Sequence, residues 1–110
     1  FAQLQRLIDS GRRLIIVYGI MKDKDLSGIL PLMPREAHYI LVSPGTARAM
    51  SADELYQRCL EGLPEDRLEN CGGVADGITR AMDISKKDPE NTVIYIGGST
   101  FVVSEAVTRI

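Results

Sequence analysis

Apolar positions recur along the chain with two periods, and their alternation divides it into elements. Leu4, Leu7 and Ile8 stand at i, i+3 and i+4 and draw one apolar stripe on a short helix, which Gly11 is placed to end. Leu14-Ile15-Ile16-Val17-Tyr18 is apolar throughout, the pattern of a parallel strand covered on both faces. Gly19 closes it, and the polar run Lys22-Asp23-Lys24-Asp25 follows. Asp25 suits the cap of a helix through Leu26, Ile29, Leu30 and Met33. Pro31 inside that stretch predicts a short or bent element, and Pro34 stops it. Ala37–Val42 reads as a second strand, apolar on both faces apart from His38.

Ser51-Ala52-Asp53-Glu54 is a capping box in which Ser51 and Glu54 can satisfy each other's free amides, with Met50 and Leu55 at the staple positions. The helix it opens predicts Leu55, Cys59 and Leu60 inward and ends at Gly62 before Pro64. Arg67–Asn70 is a short strand of poor composition, and Cys71-Gly72-Gly73 reads as the loop into a helix with the stripe Val74, Ile78, Ala81 and Met82. Lys86 and Lys87 near its end suit the helix dipole. Thr92–Ile96, β-branched and apolar, is the strongest strand and is expected to be buried. Gly97-Gly98-Ser99-Thr100 then turns the chain into a last helix carrying Phe101, Val103 and Val107.

A helix followed by four strand–helix alternations predicts an α/β fold: a three-layer, mostly parallel, doubly wound, Rossmann-like sheet with right-handed crossovers. No repeat or low-complexity linker interrupts the 110 residues, so residues 1–110 are read as a single domain. An initial helix with no strand before it is unusual in this architecture. Together with Phe1 in place of a Met, it raises the expectation that the preceding strand lies before residue 1.

Thirteen basic against fifteen acidic residues leave a formal charge of −2, with no basic field to track a phosphate backbone. No apolar run approaches the roughly 20 residues that span a bilayer, and no signal-peptide pattern is present. Neither nucleic acid nor membrane is therefore expected as a partner. Cys59 and Cys71 are too few for a disulfide scaffold or a zinc site, and with one histidine no metal cluster is expected. Reduced thiols and a cytoplasmic location are the expectation.

In a doubly wound sheet, ligands bind at loops after the carboxyl ends of the strands. Gly19–Asp25, Ser43–Met50, Cys71–Gly73 and Gly97–Thr100 must share that edge, and they hold most of the glycine-rich and polar sequence. In Gly97-Gly98-Ser99-Thr100, two glycines allow close approach of a ligand. The helix amides and the two hydroxyls suit a carboxylate or phosphate, although a tight turn with an N-cap accounts for the same residues. The Lys22–Asp25 run reads first as a solvated loop with Asp25 as cap. His38 reads as a packed or edge histidine and Cys59 as core. Cys71 precedes a helix N-terminus, a position that lowers a thiol's pKa. Arg48 can reach an anion or point to solvent. A phosphate loop, a dinucleotide fingerprint after the first strand and a nucleophile elbow are all absent from the sequence, so a domain serving an enzyme would supply part of a site.

Three segments in order carry a family resemblance. Val17-Tyr18-Gly19-Ile20-Met21-Lys22-Asp23-Lys24-Asp25 resembles the strand–Gly–loop–Asp-Lys-Asp signature of folylpolyglutamate and dihydrofolate synthases. Arg48-Ala49-Met50-Ser51-Ala52-Asp53-Glu54-Leu55 and Tyr95–Val103 resemble two further segments of the same enzymes. The resemblance implies the C-terminal domain of a Mur-ligase-type enzyme, which uses ATP and magnesium to convert a carboxylate to an acyl phosphate that an amine attacks. In the folate branch the substrates are glutamate and a folate or dihydropteroate. The implied partner is the central ATPase domain of the same polypeptide. Carried onto this chain, the resemblance gives glutamate binding to Gly98, Ser99 and Thr100 and an interdomain loop to Lys22, Asp23, Lys24 and Asp25. It implies no catalytic residue and no metal ligand within the 110 residues, no tightly bound cofactor, and no activity for the chain alone. The family's Asp-Gly-x-His-Asn segment is absent, and Pro31 departs from its usual helical run. A free-standing flavodoxin- or receiver-like binding module is the alternative, although neither Val42-Ser43 nor Ile96-Gly97 supplies a phosphorylatable Asp at a strand end.

Overall fold

The computed structural model describes residues 2–109. In chain order the elements are α1 (Ala2–Asp9), β1 (Arg13–Tyr18), α2 (Leu26–Ile29) with a 3-10 turn at Leu30–Leu32, and β2 (His38–Ser43). Then come α3 (Ala52–Cys59), a 3-10 turn at Glu65–Arg67, β3 (Leu68–Gly73), α4 (Val74–Ser85), β4 (Thr92–Gly97) and α5 (Thr100–Arg109). The strands form one sheet in the order β3-β2-β1-β4, and every pairing is parallel. The expected α/β, three-layer, doubly wound architecture is the one observed.

Two apolar clusters explain the layers. Alternate residues of β1 and β2 face opposite ways. Leu14, Ile16, Tyr18, Tyr39 and Leu41 meet Leu26 of α2, Leu55 and Cys59 of α3 and, at the margin, Leu4, Leu7 and Ile8 of α1. Ile15, Val17, Ile40 and Val42 meet Val74, Ile78 and Ala81 of α4 and Val102 and Ala106 of α5. Gly77 lets α4 settle on the sheet, since a Cβ there would lie 2.4 Å from Val42 Cγ1. The Tyr39 hydroxyl, buried in the first cluster, donates to the Pro34 carbonyl at 2.7 Å, so burial leaves it satisfied. The Cys59 thiol is pushed up to about 12 by that burial, in keeping with a core role.

Local signals hold where the chain decides alone. Asp25 caps α2, accepting from the Ser27 N–H at 3.2 Å. Pro31 converts the end of that helix into a single 3-10 turn. Ser51 caps α3 through the Glu54 N–H at 3.1 Å. The reciprocal half of the capping box does not form, because the Glu54 carboxylate pairs with Arg58 one turn on, at 3.2 Å.

Other expectations are corrected by tertiary packing. Cys71-Gly72-Gly73 is not loop but the end of β3, which pairs with β2 past a register shift between Leu41 and Val42. Leu60 is half-buried, and Met82 is 52% exposed rather than inward. In α5 the buried residues are Val102 and Ala106, one step from the expected stripe, and Phe101, Val103 and Val107 face outward. Thr92–Gly97 is a strand as expected, yet it is an edge strand and only half-buried.

Gly98 has φ +99°, and a Cβ on it would lie 2.2 Å from the Gly19 carbonyl oxygen. Gly72 also has positive φ but open space around it. Gly98→Ala combines backbone strain with overpacking, about 3 kcal/mol, against about 1 kcal/mol for Gly72→Ala. The expected thermal midpoint therefore falls by roughly 10 °C or more for Gly98→Ala and by only a few degrees for Gly72→Ala. Equal shifts would show that the Gly19–Gly98 contact does not constrain the fold.

Candidate functional site

A functional cleft is expected where adjacent parallel strands send their connections to opposite faces of the sheet. β1 and β4 are those neighbours: β1 leads to α2 on one face and β4 to α5 on the other. Outside their carboxyl ends lies a cleft of about 350 Å³ lined by Met21, Asp23, Lys24, Arg48, Gly98, Ser99 and Phe101.

Backbone contacts build its walls. The Gly98 turn lies directly on Gly19, and a Cβ on Gly19 would lie 2.6 Å from the Val42 carbonyl oxygen. The loop after β1 is pinned to the loop after β2 by an isolated antiparallel bridge between Met21 and Ala49. The Lys22 N–H donates to the Arg48 carbonyl, and the Met50 N–H to that of Ile20, each at 2.9 Å. That ladder turns Arg48 into the cleft beside Lys24. The Glu105 carboxylate of α5 accepts from the Gly45 N–H and ties the β2 loop to the opposite face. Three of the four segments expected at the edge thus share one structure.

The candidate residues divide accordingly. Asp23 and Lys24 line the cleft, whereas Asp25 is spent on capping. Hydrogen bonds from the Ser27 hydroxyl and from backbone N–H groups hold the Asp25 carboxyl below the usual carboxylate range. Lys22 is exposed outside the cleft lining. The Ser99 hydroxyl accepts from the Val102 N–H at 3.2 Å and so caps α5, which realises the structural reading of that turn. Its side chain nevertheless borders the cleft, and the hydroxyl retains a proton to donate outward. Thr100 begins α5, and its side chain lies outside the described residues. Among the described residues, neither Lys24 nor Arg48 makes an ion pair within 4.0 Å. The cleft therefore presents two cations against the single carboxylate of Asp23. Among the described residues no group of three His, Cys, Asp or Glu could hold a metal ion. None of the helices is long and apolar enough to cross a membrane.

Arg48 is the residue sequence reasoning left undecided, because its place depends on pairing between two loops. Its position just ahead of the α3 cap was the available signal. His38 sits at the opposite, amino end of β2, paired with Glu69 of β3, which also accepts from Arg80 of α4 at 2.7 Å. It joins strands and helix and takes no part in the cleft. The Cys71 thiol is raised, chiefly by burial and then by Glu69, the reverse of the lowering expected from the helix terminus.

No protein-family model matches the chain. It is 31% identical over 93 residues to a probable bifunctional folylpolyglutamate synthase/dihydropteroate synthase of Haloferax volcanii, covering 84% of this chain and 11% of that protein. A protein of the same description from Halobacterium salinarum is 29% identical over 102 residues, covering 88% and 11%. Among solved structures, a Mycobacterium tuberculosis folylpolyglutamate synthase complexed with ADP and AMPPCP superposes with TM-score 0.75 at 30% identity, over 88% of this chain and 23% of that one. A bifunctional folylpolyglutamate synthase/dihydrofolate synthase from Yersinia pestis, complexed with AMPPNP and Mn ion, gives 0.75 at 18% identity, a likeness of fold alone, over 97% and 24%. The chain thus spans about a tenth of the curated relatives' length and about a quarter of the solved chains.

The four-stranded parallel sheet with its cleft at the β1/β4 switch point is an α/β fold that matches the C-terminal domain of solved folylpolyglutamate synthases. Its homologues are folylpolyglutamate synthase/dihydrofolate synthase proteins, of which it matches only a part.

The Glu69 carboxyl is held below its ordinary range: burial opposes ionisation, but the hydrogen bonds from Arg80 and His38 and their charges outweigh it. A carboxyl with a lower pKa folded than unfolded contributes stability above its unfolded pKa, and that contribution is lost as pH falls through the folded value. Urea midpoints measured from pH 6 to pH 3 should therefore fall more steeply for the native chain than for Glu69→Gln. Parallel curves would remove Glu69 from the acid dependence.

Proposed function

We propose that this chain is the C-terminal domain of an ATP-dependent ligase that joins glutamate to a folate or dihydropteroate carboxylate. The observation that carries this reading is the cleft itself. A capped helix N-terminus, two free cations and a glycine turn that admits close approach converge at one switch point, in a domain related to folylpolyglutamate synthases.

The chemistry assigns the parts. In such a ligase a carboxylate takes phosphate from ATP to become an acyl phosphate. The amine of glutamate attacks its carbonyl carbon, phosphate leaves with the bonding pair, and the amine gives up a proton. In this reading, ATP binding in the main and magnesium ligation fall to the central ATPase domain of the full enzyme, in line with the nucleotide and Mn complexes of the solved relatives. This domain holds the incoming amino acid. Ser99 donates its hydroxyl proton to a glutamate carboxylate, Gly98 and Thr100 bring backbone to it, and Arg48 with Lys24 neutralises its charge. Asp23 keeps the cleft from being uniformly cationic, which favours an amino acid, bearing both signs, over a simple anion. Closing this edge against the ATPase domain would bring the amine to the acyl phosphate, with Lys24 next to the developing phosphate charge.

Losing a hydrogen bond to a charged group costs about 1.5–3 kcal/mol. In the full-length enzyme, Ser99→Ala should thus raise the apparent KM for glutamate by roughly tenfold or more, with less than about a twofold change for ATP. Equal effects on both substrates, or none, would overturn the carboxylate assignment. Assayed alone with ATP, glutamate and a folate, the 110-residue chain should give no turnover; turnover by the chain alone would overturn the division of labour.

A further inference from the structure

The amino ends of the strands carry a cavity that the cleft chemistry does not use. It measures about 410 Å³, within the range of small-molecule sites. Leu14 and Ile15 form its floor, with Ile8 of α1 and Ile84 of α4 at its sides. Its polar lining is Arg12, Arg13, Arg67, His38, Glu36 and Thr92. The six-residue strand β1 separates it from the cleft by roughly 20 Å.

Local structure delivers these groups to one place. Gly11, at φ +91°, ends α1 in a Schellman motif: its N–H donates to the Ile8 carbonyl at 2.9 Å, and that of Arg12 to the Leu7 carbonyl at 3.0 Å. The chain thus turns from helix straight into β1 with Arg12 and Arg13 at the entrance, and the Arg13 N–H is fixed to the Asn91 carbonyl ahead of β4. Arg13 pairs with Thr92 and Ile15 with His38, so β4, β1 and β2 begin side by side. Just before β3, the Arg67 guanidinium donates to the Glu36 carbonyl at 2.7 Å, which holds it at the mouth.

Three guanidinium groups therefore face one carboxylate, in a chain whose formal charge is −2. Among the described residues none of the three makes an ion pair within 4.0 Å. Glu69, the carboxylate paired with His38, is also held by Arg80. A guanidinium fork grips a carboxylate or phosphate through two parallel N–H···O bonds. Three forks in one concavity match a ligand with more than one oxyanion group, and a single small anion would leave the apolar sides bare.

We propose that this cavity is a second ligand site, which takes a small organic polyanion whose carboxylate or phosphate groups engage Arg12, Arg13 and Arg67 while its carbon body lies on Ile8 and Ile84. Glu36 accepts from a hydroxyl or amine on the same ligand. Because the site lies at the opposite end of the strands, it fills independently of the cleft.

Titrating the ¹⁵N-labelled 110-residue chain with inorganic pyrophosphate and with citrate, amide by amide, reads the site directly. The amides of Arg12, Arg13, His38 and Thr92 should shift together and saturate with at least one of the two probes, while acetate gives no saturation. The tighter probe identifies phosphate or carboxylate as the source. Lys24 and Arg48 also attract anions, so Gly98 and Ser99 serve as the internal reference. Arg12→Gln combined with Arg13→Gln should raise the dissociation constant at the amino-end amides by about 30-fold or more, since each charged hydrogen bond lost costs about tenfold or more. The curve at Gly98 and Ser99 should stay within about twofold. Arg13→Lys, which keeps the charge and loses the fork, should weaken binding by about threefold or more. Shifts that never saturate, a dissociation constant unchanged by both variants, or equal weakening at the amino end and the cleft would overturn the proposal. So would variants that lower only the thermal midpoint, since the arginines would then serve the carboxyl-terminal dipoles of α1 and α4.

Discussion

Where β1 and β4 leave the sheet, two backbones touch with no side chain between them, and most of the molecule's functional geometry follows from that contact. The Gly98 turn rests on the carbonyl of Gly19, and Gly19 in turn rests on the end of β2 and on Val102 of α5. A Cβ at Gly98 would push the two loops apart. With both positions glycine, the connection to α2 and the connection to α5 start from one point and diverge to opposite faces, and the space between them is the cleft.

The second constraint is the short antiparallel bridge between the loops after β1 and β2. It adds only a few hydrogen bonds, yet it decides what the cleft contains. Lys24 and Arg48 come from loops separated in the chain by α2, its 3-10 turn and β2, and the backbone bridge between those loops brings both into one lining. Charge repulsion between two cations is tolerated there because both stay solvated at an exposed edge, with Asp23 in the same lining. Behind them the sheet is dry. The described residues include no buried polar or charged residue in the core, and the Tyr39 hydroxyl is bonded. The division between a rigid apolar body and a polar rim is what lets the loops carry function.

Much of this was readable in the chain before folding. The five consecutive apolar residues Leu14–Tyr18 announced a central strand, Ser51 and Asp25 announced helix starts, and Pro31 announced the break after α2. The order of elements then restricted the topology to a doubly wound sheet, and the loop segments at its carboxyl edge were named correctly in three of four cases. The errors share one cause. Cys71–Gly73 resembles a loop by composition, but pairing with β2 overrides composition. Phe101 and Val103 are more apolar than Ala106, yet Val102 and Ala106 face the sheet because the Gly98 turn sets the rotation of α5. Glu54 was available to complete a capping box and found Arg58 one turn away instead.

By itself, then, the sequence determined the order of helices and strands, that β1 and β2 are buried on both faces, and that the glycine-rich and charged loops fall on one edge. These are local or periodic properties, set by backbone preference and by the need to remove apolar surface from water. Only the tertiary structure decided that Ser99 caps its helix while bordering the cleft, that Arg48 joins Lys24, that His38 lies at the far edge, and that the most strand-like segment sits at the margin of the sheet. Each depends on which strands become neighbours and on how two backbones approach, contacts between residues far apart in the chain that no local pattern encodes.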